Sequence, residues 1–475
     1  MTILFSILEF VSEAFTRFVI FYFASINLIY FLMLLFSFLS IRYYLRRNLL
    51  CDYRMIVQSE FTTPVSVLAP AYNESISIAE SVHSLLKLNY STMEIIVIND
   101  GSKDNTLDIL VQQFHLRKTR RMYVGQLPTK HVRGIYTSQK AEYKNLVVVD
   151  KENGGKADAL NAGINVSRYP LFCAIDADSI LEDDALLKAT KPFMEDDTTI
   201  AVGGIVRIAN GCTVRRGRVT NVALSKKFLP VIQVVEYFRA FLTGRMAWSA
   251  ANALLIISGA FGIFKRSIVL EVGGYKHDTV GEDMELVIRL HRLMLESKRP
   301  YRIVFVPDPV CWTEAPETLS ILQKQRNRWH RGLLDTLLIH RSILFNPAYG
   351  MVGLFAAPYF LLYELLGPVI EGLGYIVVLT MLLLGTLNTD ILILFFIVSV
   401  VYGMMFSVGA VILEEISFHR YPRAMDLARL IGHAFIENFG YRQLTAFWRI
   451  KAIIDYARGA KHWGSMQRQG FAKHD

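Results

Sequence analysis

The chain has 475 residues, of which 52% are hydrophobic, and its mean hydropathy is +0.32. This apolar content exceeds that of ordinary soluble domains and predicts an integral membrane protein that also has a sizeable folded core. The formal net charge is +9, but the basic residues cluster beside apolar segments, which favours anionic lipid headgroups over nucleic acid as their partner. The four cysteines form no CxxC pair, so neither a zinc site nor a disulfide framework is expected.

The first predicted element is a membrane-spanning helix over residues 18–40. These residues are almost all apolar, and about 20 such residues are enough to cross a bilayer. Arg42, Arg46 and Arg47 follow directly, so the positive-inside rule places the next domain in the cytoplasm. The run is too long for a signal peptide and lacks a basic leader, so we interpret residues 1–61 as a retained anchor and a linker.

Residues 62–345 alternate short apolar runs with turns and helical periods, which predicts an α/β domain with a mainly parallel sheet and helices on both faces. Ligands of such sheets bind beyond the carboxyl ends of the strands. Polar motifs fall at four of these predicted ends, at residues 72–74, 99–102, 153–156 and 176–178. The four strand ends are therefore expected to form one cleft.

Residues 115–133 carry six lysines and arginines with little apolar periodicity. We interpret this segment as a solvated or lipid-facing loop. Nucleic-acid binding is disfavoured, because aromatic side chains are not interleaved with the basic ones as a stacking platform requires.

The C-terminal region, residues 346–475, is again apolar. It contains two predicted spans, residues 367–385 and 391–413, and a mixed segment, residues 427–450, typical of a helix lying in the membrane interface. Three spans leave a basic C-terminus inside, as the positive-inside rule requires. We therefore expect a multi-pass protein of the inner or plasma membrane, with residues 62–345 in the cytoplasm.

Asp176 and Asp178 follow the apolar run 171–175. Residues two apart in an extended chain point the same way, so both carboxylates are expected to face one hard cation, Mg²⁺ or Mn²⁺. Such a cation, bound largely through the oxygens of a diphosphate, would offset the charge that develops on a leaving group. Two aspartates spaced in this way, without further motifs, more often form a turn or a helix cap. Their position at the end of a strand favours the metal site.

Residues 153–156, Asn-Gly-Gly-Lys, open a predicted helix. Glycines let the backbone approach a ligand, the helix N-terminus favours anions, and Lys156 adds a positive charge. The motif thus predicts diphosphate binding, with an ordinary tight turn as the alternative. The spacings of a P-loop and of a dinucleotide-binding fold are missing, so ATPase and dehydrogenase functions lose their main support.

Two further motifs complete the set. Glu282 and Asp283 begin a helical period, where capping is the alternative to catalysis. Sugar transfer with inversion needs one base, for which Asp283 is our first candidate and Glu282 the second.

Residues 325–329, Gln-Arg-Asn-Arg-Trp, place two guanidinium groups beside an indole, which suits phosphate and sugar binding or, alternatively, a membrane-interface anchor.

The chain resembles family 2 membrane glycosyltransferases in the order and spacing of four motifs that lie between membrane segments. These motifs are Asp100, the DxD motif at residues 176–178, the Glu-Asp pair at residues 282–283 and the QxxRW block at residues 325–329. That family contains the cellulose, chitin, hyaluronan and poly-N-acetylglucosamine synthases. The resemblance covers about residues 62–340. It implies a GT-A fold, a UDP-sugar donor, Mg²⁺ or Mn²⁺, and inversion to a β-linkage.

The resemblance also implies roles for individual residues. It assigns the nucleoside pocket to Pro70, Tyr72, Glu74, Asp100, Lys156 and Asp176. It assigns the metal to Asp178, with Asp176 beside it, and the base to Asp283. It places Gln325, Arg326, Arg328 and Trp329 along the diphosphate and the terminal acceptor sugar, and Ser258, Gly259 and Phe261 in a loop lining the acceptor subsite. Gly281 stands where many relatives have Thr, and no FxVTxK gating loop is present, which disfavours cellulose synthesis.

The leading hypothesis is a processive synthase that extends a β-linked polysaccharide of glucose or N-acetylglucosamine while secreting it. One alternative is a single addition of sugar to a membrane lipid, as in ceramide glucosyltransferases. Another is a noncatalytic subunit that binds nucleotide sugar, which the joint presence of Asp178, Asp283 and Arg328 disfavours. Three spans are few for a sugar channel, so we expect a homo-oligomer or an export partner to supply further helices.

Overall fold

The computed structural model of the chain describes residues 2–48, 62–215, 217–385 and 389–459. Its strands are β1 (Val65–Ala71), β2 (Met93–Asp100), β3 (Leu116–Thr119), β4 (Val132–Ser138), β5 (Leu146–Lys151), β6 (Leu171–Ile175), β7 (Ile180–Leu181), β8 (Thr199–Ile208), β9 (Thr213–Arg215), β10 (Arg218–Asn221), β11 (Phe261–Lys265) and β12 (Arg302–Thr313).

Helix α1 (Thr2–Asn48) enters the sheet domain from the membrane side. The helices of the sheet domain are α2 (Ile78–Leu86), α3 (Thr106–Gln113), α4 (Lys156–Val166), α5 (Ala185–Glu195), α6 (Phe228–Tyr237), α7 (Met246–Ala250), α8 (Arg266–Glu271), α9 (Glu282–Glu296) and α10 (Leu319–Ile339). The C-terminal helices are α11 (Ala357–Tyr359), α12 (Gly367–Leu384), α13 (Thr389–Phe396), α14 (Tyr402–Ser417), α15 (Ala424–Ile436) and α16 (Tyr441–Ala457). π-Helical turns lie at Phe238–Arg245, Val352–Ala356, Phe360–Leu365 and Ile397–Val401, and 3₁₀ turns at Ala141–Tyr143, Arg341–Ile343 and Pro347–Tyr349.

The sheet is mixed, with the strand order β3-β4-β5-β2-β1-β6-β11-β8-β12-β7. Strands β5, β2, β1 and β6 are parallel neighbours, and antiparallel strands flank them on both sides. Nearly every residue of these four strands is buried, as expected of parallel strands covered by helices on both faces. The predicted α/β fold is confirmed, and its four polar strand ends lie at one edge of the sheet.

Helix α4 packs closely on the centre of the sheet, because Gly163 leaves no side chain between them. A Cβ atom at this position would lie 3.1 Å from the side chains of Ile98 and Leu68. The close approach fixes the N-terminus of α4, and therefore Lys156, beside the ends of β5 and β6.

The segment predicted as a basic loop is partly a strand pair. Residues 116–119 form β3 at the sheet edge, paired antiparallel with β4, whose first residue is Val132. Arg121 is also not solvated, since its guanidinium lies 3.0 Å from the buried carboxylate of Glu94. The loop interpretation was wrong here because strand pairing and a distant carboxylate, rather than local periodicity, decide the structure of this segment.

Three helices are long and apolar enough to cross a membrane: Ala14–Asn48, Gly367–Leu384 and Leu392–Ser417. These helices coincide with the three predicted spans. The boundaries at residues 61 and 345 between the predicted regions stay predictions. The predicted linker after residue 48 lies outside the described residues. The end of α1 continues past the predicted span into the sheet domain, where Ile41 is buried and Tyr44 donates a hydrogen bond to Asp308.

The predicted interfacial segment consists of two helices, α15 and α16, rather than one. Gly440, with a φ of +92°, lies between them, a backbone conformation that other residues rarely adopt. Ion pairs join these helices to their surroundings: Glu437 to Arg239 of the π-helical turn after α6, and Arg442 to Glu371 of α12. Helix α16 also packs along α10, so the C-terminal helices join the sheet domain to the membrane-spanning helices.

Candidate active site

The loops after β1 and β2 are tied to each other at the edge of the cleft. The backbone N–H of Asn73 donates to the Ser102 hydroxyl at 3.0 Å, and the Asn73 side-chain oxygen accepts from the Lys103 N–H at 2.8 Å. Tyr72 is exposed beside this link, and Glu74 accepts a hydrogen bond from the Ser77 hydroxyl at 2.7 Å. These loops give the predicted nucleoside residues a fixed frame on one side of the cleft.

Asp100 is buried at the end of β2 and shapes the loop that precedes α4. Its carboxylate accepts hydrogen bonds from the N–H groups of Gly154 and Gly155, at 3.0 and 2.8 Å, and from the buried Lys151 ammonium at 2.6 Å. Asn153 donates to it at 3.2 Å. Asp100 therefore fixes the Asn-Gly-Gly-Lys loop, and its contact with a nucleoside stays a prediction.

Lys156 lies at the centre of the candidate site. Its Nζ atom is 2.5 Å from Asp176 Oδ1, 3.1 Å from the Gly259 carbonyl oxygen and 4.0 Å from Glu282 Oε1. Burial lowers the pKa of the Lys156 ammonium, but the carboxylates of Asp176 and Glu282 outweigh it, so this pKa lies above its usual value. The Lys156 ammonium thus joins the Asp176–Asp178 motif, the Ser258–Gly259 loop and the Glu282–Asp283 pair, which lie far apart in the sequence.

The Asp176-Ala177-Asp178 motif forms a turn and not an extended chain. The Ser179 N–H donates to the Asp176 carbonyl oxygen at 3.0 Å, which closes the turn directly after β6. The argument that both carboxylates face the same way because the chain is extended was therefore wrong. Asp176 lines the central cavity and pairs with Lys156, whereas Asp178 lies outside the cavity lining.

Glu282 and Asp283 begin α9, as predicted, and face the same cation. The Asp283 carboxylate accepts hydrogen bonds from the N–H of Gly259 at 3.3 Å and from the N–H of Met284 at 2.8 Å. Burial raises the pKa of the Glu282 carboxyl to about 7, against the lowering effect of Lys156. Asp283 is thus held in place beside the Ser258–Gly259 loop, and Glu282 changes charge near neutral pH.

The QxxRW residues lie on α10, which is in backbone contact with the start of α9. A Cβ atom at Gly332 would lie 3.0 Å from Gly281 Cα, so a side chain at either position would require the facing backbone to shift by a few tenths of an ångström. Arg326 lies 4.7 Å from the ring centroid of Trp329 and 2.5 Å from Glu236 Oε2 of α6. Arg326 is therefore neutralised by Glu236 here, and its contact with a diphosphate stays a prediction.

A cavity of about 650 Å³ connects these residues to the membrane-spanning helices. At one end it is lined by predicted site residues: Lys156, Asp176, Ser258, Gly259, Glu282, Asp283, Gln325, Arg326, Arg328 and Trp329. At the other end it is lined by Tyr22, Phe23 and Tyr30 of α1, Glu371 of α12, and Arg442 of α16. The cavity is thus continuous from the acid and phosphate motifs to the bilayer region.

Several predicted residues lie outside this cavity. Pro70, Tyr72, Glu74 and Asp100 lie at the ends of β1 and β2 and are not among the residues that line the cavity. Phe261 was predicted to contact the acceptor, but it is fully buried at the start of β11. It packs in the hydrophobic core and so supports the Ser258–Gly259 loop from behind.

Several residues that line the cavity lie outside the predicted motifs. They include Glu236, Arg245 and Trp248 from the helix that precedes the acceptor loop, and Glu364, Glu371 and Arg442 from the C-terminal region. The acidic residues within apolar membrane segments carried a usable signal, since ionisable groups there usually mark functional paths. The aromatic residues of the preceding helix carried none, because an apolar helical stripe normally indicates a core.

Comparison with known families identifies the fold and the motifs together. A model of the family "Glycosyltransferase like family 2" matches residues 63–332, and a chitin synthase model matches residues 277–450. The chain belongs to glycosyltransferase family 2. The first match begins just before β1 and ends within α10, so it contains the whole set of motifs from the Tyr72 loop to QxxRW.

This family 2 glycosyltransferase is similar to poly-β-1,6-N-acetyl-D-glucosamine synthases. It is 34% identical over 275 residues to that of Staphylococcus aureus, which is 58% of this chain and 55% of the relative. It is 32% identical over 302 residues to that of Staphylococcus epidermidis, which is 63% of this chain and 62% of the relative. The chain thus spans less than two thirds of the length of these relatives.

Among solved structures, a mannosyltransferase from Pyrobaculum calidifontis, in complex with GDP-mannose and Mn²⁺, matches 89% of this chain and 99% of its own. The TM-score is 0.50 at 16% sequence identity. At this identity the likeness concerns the fold alone. It confirms the GT-A-type fold that the motif resemblance implied.

A divalent cation is typical of GT-A enzymes, and the two carboxylates that follow β6 are its candidate ligands in this chain. Within residues 2–48, 62–215, 217–385 and 389–459, no group of three or more His, Cys, Asp or Glu side chains could hold a metal ion. Asp176 and Asp178 at the end of β6 offer hard carboxylate oxygens, which Mg²⁺ and Mn²⁺ prefer. Mg²⁺ in particular is commonly held by one or two carboxylates together with substrate phosphates and water.

Proposed function

We propose that the chain is an inverting membrane glycosyltransferase that transfers N-acetylglucosamine from UDP-N-acetylglucosamine to a growing β-linked polysaccharide. The observation that carries the proposal is the single cavity that runs from Lys156 and Asp283 to Tyr22 and Tyr30 of the membrane-spanning helix α1. A polymer that grows at one end of this cavity has a continuous path toward the bilayer.

The donor would bind at the strand-end side of the cavity. Pro70, Tyr72, Glu74 and the Asp100-anchored loop would hold the nucleoside, and the N-terminus of α4 with Lys156 would face the diphosphate. Asp178, with Asp176 beside it, would hold Mg²⁺ or Mn²⁺, and the cation would offset the negative charge of the departing UDP. Gln325, Arg326 and Arg328 border the same space from α10.

Asp283 would act as the base for transfer. Its carboxylate would accept the proton of the acceptor hydroxyl while the hydroxyl oxygen bonds to the anomeric carbon and the bond to UDP breaks. One displacement inverts the configuration, so the α-linked donor sugar enters a β-linkage. The Gly259 N–H fixes the carboxylate at 3.3 Å, and the exposed indole of Trp329 offers a face for the acceptor sugar.

Two observations support this substrate and this product. The similar proteins from Staphylococcus are poly-β-1,6-N-acetyl-D-glucosamine synthases, which supports N-acetylglucosamine as the transferred sugar. A polymer product is favoured over a single addition to a lipid because the cavity continues past Asp283, between aromatic and charged side chains, to α12 and α16. Secretion through the membrane belongs to the same proposal, with a homo-oligomer or an export partner supplying further helices.

The test is a donor panel followed by sizing of the product. The detergent-purified chain is incubated with radiolabelled UDP-sugars plus Mg²⁺ or Mn²⁺, and the label is sized before and after lipid extraction. We expect a high-mass, extraction-resistant product from UDP-N-acetylglucosamine. Label that follows the lipid would instead indicate a glycolipid enzyme, and no transfer from any donor would indicate a noncatalytic subunit.

A further inference from the structure

The helix that lines the middle of the cavity contains a π-helical segment. Residues Phe238–Arg245 widen the helical turn between α6 and α7, and such insertions are frequent at functional sites. Phe241, Arg245 and Trp248 lie four and three residues apart, so they share one face of this helix, and all three line the cavity. None of them belongs to the motifs described above.

Arg245 differs from other arginines of the cavity wall in its partners. Arg326, Arg442 and Arg449 each lie within 2.5 to 3.4 Å of a glutamate carboxylate. Arg245 has no ion pair or hydrogen bond with the residues that the structure describes, and its Nη1 atom is buried. Its guanidinium carbon lies 3.8 Å from the ring centroid of Phe241, so the aromatic ring covers one face of the cation.

An unpaired cation in such a place requires an explanation. Leaving a buried donor unsatisfied is unfavourable, so native proteins usually provide a protein or water partner. Burial lowers the pKa of Arg245 to about 10, and the Asp283 carboxylate opposes this lowering, so the guanidinium is charged at neutral pH. Arg245 and the proposed base therefore act on each other across the cavity without forming an ion pair.

We infer that Arg245 binds the terminal sugar of the acceptor and donates through its guanidinium to a hydroxyl or carbonyl oxygen of that sugar beside Asp283. The inference rests on the proposed function and adds a binding residue to it. The acceptor is favoured over the donor diphosphate because the electrostatic partner of Arg245 is Asp283, whose proton comes from the acceptor. Phe241 fixes the plane of the guanidinium. The Trp248 ring, whose centroid lies 5.3 Å from that of the Tyr359 ring, offers an apolar face to the sugar.

Direct binding tests this role without requiring turnover. A labelled N-acetylglucosamine oligomer is titrated by equilibrium dialysis against the detergent-purified full chain and against Arg245→Gln, Arg245→Lys and Arg302→Gln. Arg302 is exposed on the sheet domain, so Arg302→Gln removes the same charge outside the cavity. UDP binding is measured in parallel, because unchanged UDP affinity shows that each variant is folded.

We expect Arg245→Gln to bind the oligomer about tenfold more weakly, as the loss of one hydrogen bond from a charged donor implies. Arg245→Lys should recover part of this loss because it keeps a charged donor without the planar fork. UDP affinity should stay unchanged in all variants, and Arg302→Gln should match the wild type in both measurements.

Equal oligomer binding by the wild type and Arg245→Gln would overturn the inference, and so would the absence of oligomer binding by the wild type. A parallel loss of UDP affinity in Arg245→Gln, with oligomer binding retained, would place Arg245 at the diphosphate and overturn it as well. The proposed function fails separately, if the wild type binds the oligomer but transfers no sugar to it from any UDP-sugar.

Discussion

Lys156 holds together acidic side chains that would otherwise repel one another. Its ammonium lies 2.5 Å from Asp176 and 4.0 Å from Glu282, and Asp283 follows Glu282 directly. A diphosphate that enters the cavity would compete with Asp176 for this cation, and release of Asp176 would let its carboxylate turn to a metal. Donor binding would then exchange one ion pair for another, at little electrostatic cost.

Replacing Asp283 separates donor binding from transfer. Asp283→Asn removes the proposed proton acceptor but keeps an oxygen that can accept a hydrogen bond from the Gly259 N–H, so we expect unchanged UDP-sugar affinity and a loss of about 10²- to 10⁴-fold in turnover. Binding is measured by titration with UDP, and turnover by UDP release. Asp278→Asn, an exposed change five residues earlier, is the control. Turnover equal to that of the wild type would refute the role of Asp283 as the base.

Glu282 gives donor binding a pH dependence of defined sign. Its pKa is raised to about 7 because the carboxyl is buried, so its negative charge appears as the pH rises through this value. That charge repels a diphosphate, and the affinity for UDP should therefore fall between pH 6 and pH 8, as is expected about one unit on either side of a pKa. Glu282→Gln should remove this fall. A fall of equal slope in the variant would assign it to another group.

At the scale of elements, the start of α9 is held against α10 by two glycines. Gly281 leaves the start of α9 without a side chain there, and a Cβ atom at this position would lie 3.0 Å from the Gly332 carbonyl oxygen. Because backbone atoms cannot move aside as a flexible side chain can, these two positions set the distance between the proposed base and the QxxRW residues.

Gly332→Ala should therefore lower turnover by about tenfold or more, because small displacements of catalytic groups are costly. The added Cβ would lie 3.0 Å from Gly281 Cα and would push α9 away from α10. Gly432→Ala on α15 is the matched control, since a Cβ atom there meets no atom within 4 Å. Initial rates at saturating donor provide the comparison, and equal rates in both variants would contradict this packing role.

The elements that the sequence predicted best are those whose signals are local. Strands β1, β2, β5 and β6 are nearly continuous apolar runs, and their parallel pairing brings the following polar motifs to one edge. The turn at Asp176 was weighed only as the alternative to an extended metal site, because the hydrogen bond that the Ser179 N–H donates to the Asp176 carbonyl oxygen leaves no trace in composition. Pairs such as Arg239 with Glu437, almost 200 residues apart, depend on tertiary packing and have no local signal.

At the scale of the whole molecule, the sheet domain and the membrane-spanning helices share one cavity. Arg442 and Arg449 of α16 pair with Glu371 and Glu364, at 3.4 and 3.1 Å, so this amphipathic helix joins α10 to the apolar helices. Charged groups in this position are expected to be paired, and they keep the path polar where it enters the bilayer region. The polymer would thus be made and would pass toward the membrane in one continuous cavity.

The most direct measurement of this coupling uses sealed proteoliposomes supplied with labelled UDP-N-acetylglucosamine from outside. Only molecules whose sheet domain faces outward can react, because the charged donor does not cross the bilayer. We expect the labelled polymer to resist an added N-acetylglucosamine-polymer hydrolase until detergent opens the vesicles, and we expect Asp283→Asn vesicles to make far less polymer, in line with their lower turnover. Complete digestion of the polymer without detergent would contradict growth through the cavity into the membrane.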